Sequence, residues 1–484
     1  MFSYLATLEK YSSECAFKFL DDEKTFEVSY EQYLKDIKTC ASRLEKNLGN
    51  LKGKHVGLIG LNSYEYVVIM AALIFSRAVF VPLNYRETYE NLDFAVRNSK
   101  LDCIVTDDPE NHTLGKDVKY LGFDVALKGE AEEKDLTDFT EEEVNNLMMI
   151  VYTSGTTSLS KGVALSAGNL FQEERIALPE KYTNGYRAVP GVKVYTNFPL
   201  YHVGGLLTWL SWSEHGCTLV QSVNPQNILS DLEKEKIDIA FVIPATIKLW
   251  LKTIHRGHIE RLGGVKLALT AGAPVSVDDV KELSANNIDF GQYYGMTETG
   301  GNVTYNFDMA NHISSVGRPY DDADVRIVDD EIVIRHWGNM LGYYENEEET
   351  QKIIRDGVIY TGDLGYMDDD GYLYITGRKK NLIILSSGEN VSPEELERLL
   401  YECKSVKECK AFESNDRIAV EIYAEEEAQD NIREYITELN KTLPIYKRIY
   451  GIEFTTKELE KTASGKIKRI DTVALQQNEK KLGS

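Results

Sequence analysis

Helical spacing and short apolar runs take turns along most of this chain, and that alternation constrains its fold more than any other feature. From Tyr30 to Leu48 the apolar side chains Tyr33, Leu34, Ile37, Cys40, Ala41 and Leu44 recur with a helical period, and a run from His55 to Leu61 then reads as a strand. The pair repeats: Tyr64 to Phe75 predicts a buried helix leading to VFVPLN (Val79 to Asn84), and another helix leads to DCIVTD (Asp102 to Asp107). Further strands are expected at Ile239 to Ala245, Leu267 to Ala273 and Phe290 to Gly295. This order predicts an α/β chain of mostly parallel sheets flanked by helices, with ligands at the carboxyl ends of strands.

With 484 residues the chain exceeds one ordinary domain, and its pattern changes on the way. After about Asp321, EIVIRH and VIYTGDLGYMDDDGYLYITGR read as antiparallel strands and hairpins. Beyond Arg378 a smaller unit begins. Its first helix has Ser392 as N-cap, Pro393 at the first helical position and Glu395 to complete a capping box, then Leu396, Leu399, Leu400 and Cys403 on one face. A second helix is expected from about Asn431 to Leu443, and the two units are expected to meet at a short hinge near Lys380.

Charge narrows the partners. Lysine and arginine number 54 against 77 aspartates and glutamates, a net charge of -23 that repels nucleic acid and anionic membranes. A nucleotide is still admissible, because local lysines, backbone N–H groups and Mg²⁺ neutralise its phosphates. The six cysteines are scattered without a C-x-x-C pair, which favours reduced thiols and a cytoplasmic setting, and His255 and His258 read as a solvated pair rather than a metal site. The N-terminus lacks a basic, then apolar leader, and Tyr66 to Phe75 is too short to span a bilayer, so neither a signal peptide nor a transmembrane segment is expected.

The loop YTSGTTSLSKGV, Tyr152 to Val163, carries the first chemistry. Small residues let backbone approach phosphate oxygens, hydroxyls donate hydrogen bonds and Lys161 adds a positive charge. It is not the P-loop of nucleotide triphosphatases: Ser160 stands where that pattern needs glycine, and Gly162 where it needs a hydroxyl. Three more segments accompany it. YYGMTE (Tyr293 to Glu298) follows a strand, YTGDLG (Tyr360 to Gly365) carries an acid in a tight turn, and TASGKIKR (Thr462 to Arg469) sets a lysine in a glycine turn.

In this order and spacing the four segments resemble the adenylate-forming superfamily of acyl-CoA synthetases, firefly luciferase and peptide-synthetase adenylation domains. The resemblance covers essentially the whole chain. It implies an AMP-binding N-terminal domain, 1–379, with a small barrel-like β subdomain, and a small mobile α+β C-terminal domain, 380–484, carrying the catalytic lysine. It also implies ATP, Mg²⁺ and coenzyme A as cofactor or substrates.

Residue by residue, the resemblance gives Thr153, Ser154, Gly155, Thr156, Thr157 and Lys161 to the β- and γ-phosphates of ATP, and Gly272 and Ala273 to an adenine slot on which Tyr294 stacks. Gly295 and Met296 continue that ATP-binding segment. Thr297 is expected on the α-phosphate, and Glu298 with Thr153 on Mg²⁺, a hard cation that favours oxygen. Asp363 is expected to accept from both ribose hydroxyls, with Arg378 beside it. Lys466 is implied to bridge the substrate carboxylate and the α-phosphate, where fixed positive charge should be the largest catalytic term.

His202, in FPLYHVGG, matches the gate of an acyl pocket, lined further by Ile243 to Lys248 and Gly295 to Val303, in which Gly300 and Gly301 leave depth for an aromatic or medium-chain acid. Lys380 sits at the implied hinge, and Ser387 with Gly388 at the implied passage for the coenzyme A thiol. Ser158, Ser160, Ala167, Asn381, Ser387 and Glu460 depart from the usual pattern, yet none removes a catalytic charge. The implied activity is an ATP-dependent carboxylic acid:CoA ligase, AMP-forming. The alternative loads an acyl or amino acid onto a separate carrier protein, since no carrier domain follows before Ser484.

Overall fold

The computed structural model describes residues 3–20, 25–110, 114–115, 117–153, 160–171, 186–273, 275–461 and 467–469. Two large sheets carry the first part of the chain, and the helices read from the sequence lie where the spacing puts them. Ser29 caps helix Tyr30–Leu48 by accepting from the Gln32 N–H, and Gly49 ends it at φ 75°, a left-handed conformation that favours glycine. Helix Tyr64–Phe75 begins at Ser63, and every residue from Tyr66 to Phe75 is buried. The lack of a polar face is explained by its neighbours. Its residues share one hydrophobic cluster with Val56 and Phe80 of one sheet and with Phe17, Val194 and Phe241 of the other. Burying each such large side chain is worth about 1.5–3 kcal/mol, so this layer anchors the two sheets to each other.

Among the described residues the first sheet has seven strands, in the order Gly342–Tyr343, Lys161–Ser166, Leu147–Thr153, Val79–Pro82, His55–Ile59, Cys103–Thr106 and Lys119–Gly122. The last five of these run parallel, while Lys161–Ser166 pairs antiparallel with both of its neighbours. The second sheet has nine strands and a parallel centre built from Cys15–Leu20, Thr218–Ser222, Lys193–Thr196, Ile239–Phe241, Leu267–Ala271 and Asp289–Met296. Strands Gly301–Asn306 and Arg318–Pro319 close one edge antiparallel.

A five-stranded antiparallel sheet follows, including Glu331–Arg335, Val358–Met367 and Leu373–Arg378, where the hairpin pattern changes in the sequence. Beyond it, strands Glu408–Ser414, Arg417–Tyr423 and Ile449–Thr455 pack with helices Pro393–Leu400 and Gln429–Thr442 around a hydrophobic cluster of their own, running from Ile383 to Phe454. Ser392 caps the first of these helices as expected, accepting from the Glu395 N–H at 3.3 Å. The capping box is not completed. The Glu395 carboxylate turns instead to the Lys447 ammonium at 2.7 Å, because a full opposite charge attracts it more strongly than a neutral backbone N–H.

Candidate active site

The glycine- and hydroxyl-rich loop joins two neighbouring strands. Thr153 at the end of Leu147–Thr153 stands directly opposite Lys161 at the start of Lys161–Ser166, and the Thr153 hydroxyl donates to the Lys161 carbonyl at 3.5 Å. Ser154, Gly155, Thr156 and Thr157 lie outside the described residues, as does Lys466. The Lys161 ammonium pairs with Glu349 and lies 4.9 Å from the centre of the Tyr343 ring. Lys161 and Lys352 together hold the Glu349 carboxyl below the usual carboxylate range.

Strand Asp289–Met296 delivers the next group. Tyr294, Gly295 and Met296 end the strand, and Thr297 and Glu298 open a short 3₁₀ turn, Thr297–Thr299, closed by Gly300 at φ 62°. A β-carbon at Gly295 would collide with the Gly301 carbonyl of the adjoining strand, so glycine there is a packing requirement whatever ligand it faces. Glu298 is buried at 8 % exposure, a cost that partners must offset. Its Oε1 accepts from the Tyr343 hydroxyl at 2.8 Å, and its backbone carbonyl accepts from the Met340 N–H at 2.8 Å.

Asp363 is held more completely. It stands opposite Arg378 on paired strands, Arg378 Nε reaches its Oδ1 at 2.7 Å, and the Tyr294 hydroxyl donates to its Oδ2 at 2.8 Å. Burial, with the Asp363 charge beside it, pushes the Tyr294 phenol well above its ordinary value, so it stays a donor. A carboxylate offers about four lone-pair sites, acceptor chemistry that suits a pair of hydroxyls. Thus Tyr294 commits its polar end to Asp363 while its ring packs with Val303, Ile332 and Leu373. Gly272, at φ 81°, and Ala273 are exposed just past strand Leu267–Ala271, at a carboxyl end as the alternation requires.

His202 is the N-cap residue of helix Val203–Ser213, its ring 4.8 Å from that of Tyr201. A small cavity brings His202 together with Asn84, Tyr152 and Ser160, placing the expected acyl gate beside the rim of the phosphate loop. Asn62 fixes the approach from a distant helix start, accepting from the Leu200 N–H at 3.0 Å and donating to the Phe198 carbonyl at 2.9 Å. Gly301, at φ 124°, begins the strand that pairs with Tyr294 to Met296.

Lys380, at the expected hinge, lies exposed in the short turn Lys379–Asn381. Its neighbour Lys379 pairs with buried Glu331 at 2.8 Å, and the other Glu331 oxygen accepts from the Gly362 N–H at 2.9 Å. Ser387 and Gly388 are exposed in a hairpin turn, Gly388 at φ 92°. Arg469, three residues past Lys466, forms a bidentate pair with buried Glu397 at 2.9 and 2.6 Å.

The donor set suits magnesium and a nucleotide: Glu298 keeps one oxygen beyond the Tyr343 contact, Thr153 adds a hydroxyl oxygen, and both are hard ligands. Sequence reasoning named Glu298 and Lys161 yet missed their partners Tyr343 and Glu349, and missed Glu331 and Asn62, which hold neighbouring segments. Glu298 and Tyr343 are 45 positions apart and Lys161 and Glu349 are 188 apart, so periodicity carried no signal for either pair.

The chain is similar to known proteins over most of its length. The family model described as AMP-binding enzyme matches residues 6–344. A 2-succinylbenzoate--CoA ligase of Bacillus cereus is 28% identical over 476 residues, covering 93% of each chain. The o-succinylbenzoate CoA synthetase of Bacillus subtilis, solved with its acyl-adenylate intermediate, superposes with a TM-score of 0.82 at 21% identity, covering 97% of each chain. The same enzyme with ATP and a magnesium ion gives a TM-score of 0.81 at 22% identity, covering 97% of this chain and 98% of that one. With the family match spanning well over half its length, the chain belongs to the AMP-binding enzymes.

Proposed function

We propose that this enzyme is an ATP-dependent carboxylic acid:CoA ligase working in two half-reactions at one site. In the first, a substrate carboxylate oxygen attacks the α-phosphorus of ATP, forming an acyl-adenylate and releasing pyrophosphate. In the second, the coenzyme A thiol attacks the acyl carbonyl, giving the thioester and AMP and losing its proton to solvent. The observation that carries the reading is the doubly partnered, buried Asp363 set beside Tyr294, four residues before Glu298.

Asp363 takes the ribose hydroxyls, Lys161 the outer phosphates and Thr297 the α-phosphate. Magnesium, when bound, adds positive charge at the phosphates, with Glu298 and Thr153 as its protein ligands. Lys466 lies on the small unit, 380–484, which turns at Lys380 to bring either the lysine or the Ser387–Gly388 turn to the reacting centre. Closure keeps water from a hydrolysable anhydride. Six unpaired cysteines, five of them buried, fit a reducing, cytoplasmic setting.

The acid is an aromatic or medium-chain one entering past His202, and 2-succinylbenzoate, named for the Bacillus relatives, is the first to test. A panel of carboxylic acids assayed for pyrophosphate release, with and without coenzyme A, tests the proposal. Thioester formation from an aromatic acid is expected. Turnover of amino acids alone, or adenylate formation with no thiol transfer to coenzyme A, rejects it in favour of carrier loading.

A further inference from the structure

We propose that Tyr343 is a positioning residue for magnesium–ATP, fixing the Glu298 carboxylate by a hydrogen bond to one oxygen so that the other is presented to the metal. The inference rests on the reading of Glu298 as a magnesium ligand. Tyr343 belongs to a strand of only two residues, Gly342–Tyr343, pinned on one side to Lys161–Ser166 by the Leu341 N–H on the Ala164 carbonyl at 2.9 Å and the Tyr344 N–H on the Gly162 carbonyl at 2.7 Å. On the other side the Met340 N–H holds the Glu298 carbonyl, and the Tyr343 N–H is fixed by the Thr350 hydroxyl at 2.8 Å. This short segment therefore spans from the strand that begins with Lys161 to the turn that bears Glu298.

The Tyr343 side chain completes the link. Its hydroxyl lies 2.8 Å from Glu298 Oε1 and its ring 4.9 Å from the Lys161 ammonium, a distance at which a cation is drawn to an aromatic face. Both Tyr343 and Glu298 are 8 % exposed, so water competes weakly for the carboxylate. The Tyr343 hydroxyl is the donor in this pair, since a carboxylate oxygen only accepts. Without that donor, Glu298 is free to rotate and to present either oxygen, and ordering it for the metal then weakens binding.

The test uses the full-length enzyme, Tyr343→Phe and Glu298→Gln. Melting curves are recorded first, and ATP binding is then followed by calorimetry below the lowest transition, titrating magnesium at fixed ATP and repeating in EDTA. Tyr343→Phe removes one oxygen and leaves the ring under Lys161. It is expected to raise the half-saturating magnesium concentration roughly tenfold, the scale of a lost hydrogen bond to a charged group, with magnesium-free ATP binding unchanged and excess magnesium restoring full occupancy. A Tyr343→Phe titration that superimposes on the parent's while Glu298→Gln shifts overturns the inference. If neither variant shifts, the magnesium reading of Glu298 falls and the inference with it.

Discussion

The carboxylates of Asp363 and Glu298 are buried and already partnered, whereas at Lys380, Ser387 and Gly388 the small unit offers exposed residues in short turns. The first arrangement suits a site that must be right before substrate arrives, since a preorganised dipole costs no rearrangement during reaction. The second suits parts that change neighbours between half-reactions. Arg469 shows the small unit can hold a charge firmly when needed, because Glu397 grips it from within the unit's own helix. Buried, partnered charges thus occur in both units, and the exposed turns at Lys380 and Ser387 to Gly388 stand apart from them.

The largest expected effect sharpens that contrast at Lys466. Lys466→Ala should slow pyrophosphate release on the order of a hundred- to a thousandfold, the cost of losing a preorganised charge, while ATP binding persists, because the groups proposed for phosphate and ribose lie outside the small unit. Loss of ATP binding in that variant would break the division of labour. Next, Leu396→Ala, at a fully buried position of the small unit's cluster, should cost about 3 kcal/mol. Scanning calorimetry should show one transition lowered and the larger unit's left in place. A single transition moving as a whole would mean that the units do not melt separately.

A smaller effect is expected at Asp363. Asp363→Asn keeps the shape but loses the charge facing Arg378, which is itself 42% exposed, so only part of a buried pair's worth is at stake. The ATP KM should rise about tenfold, with a modest fall in melting temperature. Smallest is a pH effect at Glu349. Lys161 and Lys352 depress its carboxyl below the value of 4.5 that it has in an open chain, so its contribution to stability is present above that pH and is lost as pH falls through the lower folded value. Glu349→Gln should flatten the loss of melting temperature below pH 4.5, and an unchanged slope would show that Lys161 is not held there.

Local chemistry made much of this legible in the chain. Helices Tyr30–Leu48 and Tyr64–Phe75 begin and end where apolar spacing and the capping serines put them, and the core strands follow their apolar runs. Strands Cys15–Leu20 and Phe26–Ser29, by contrast, lie ahead of the first helix-then-strand pair that the pattern picked out. The Glu395 capping box fails for a similar reason: the competing Lys447 is 52 residues away. At the site, residues carried by compact motifs stand out in the sequence, while Tyr343, Glu331 and Asn62 act across sheets. Their contacts exist only once the strands are assembled.

The tight seam at Gly295 sets a rule for anyone wishing to retune this enzyme. No side chain can be added there without parting two strands, so that position is closed to variation, and a library aimed at the proposed acid site must leave the glycine alone and vary residues such as those around His202.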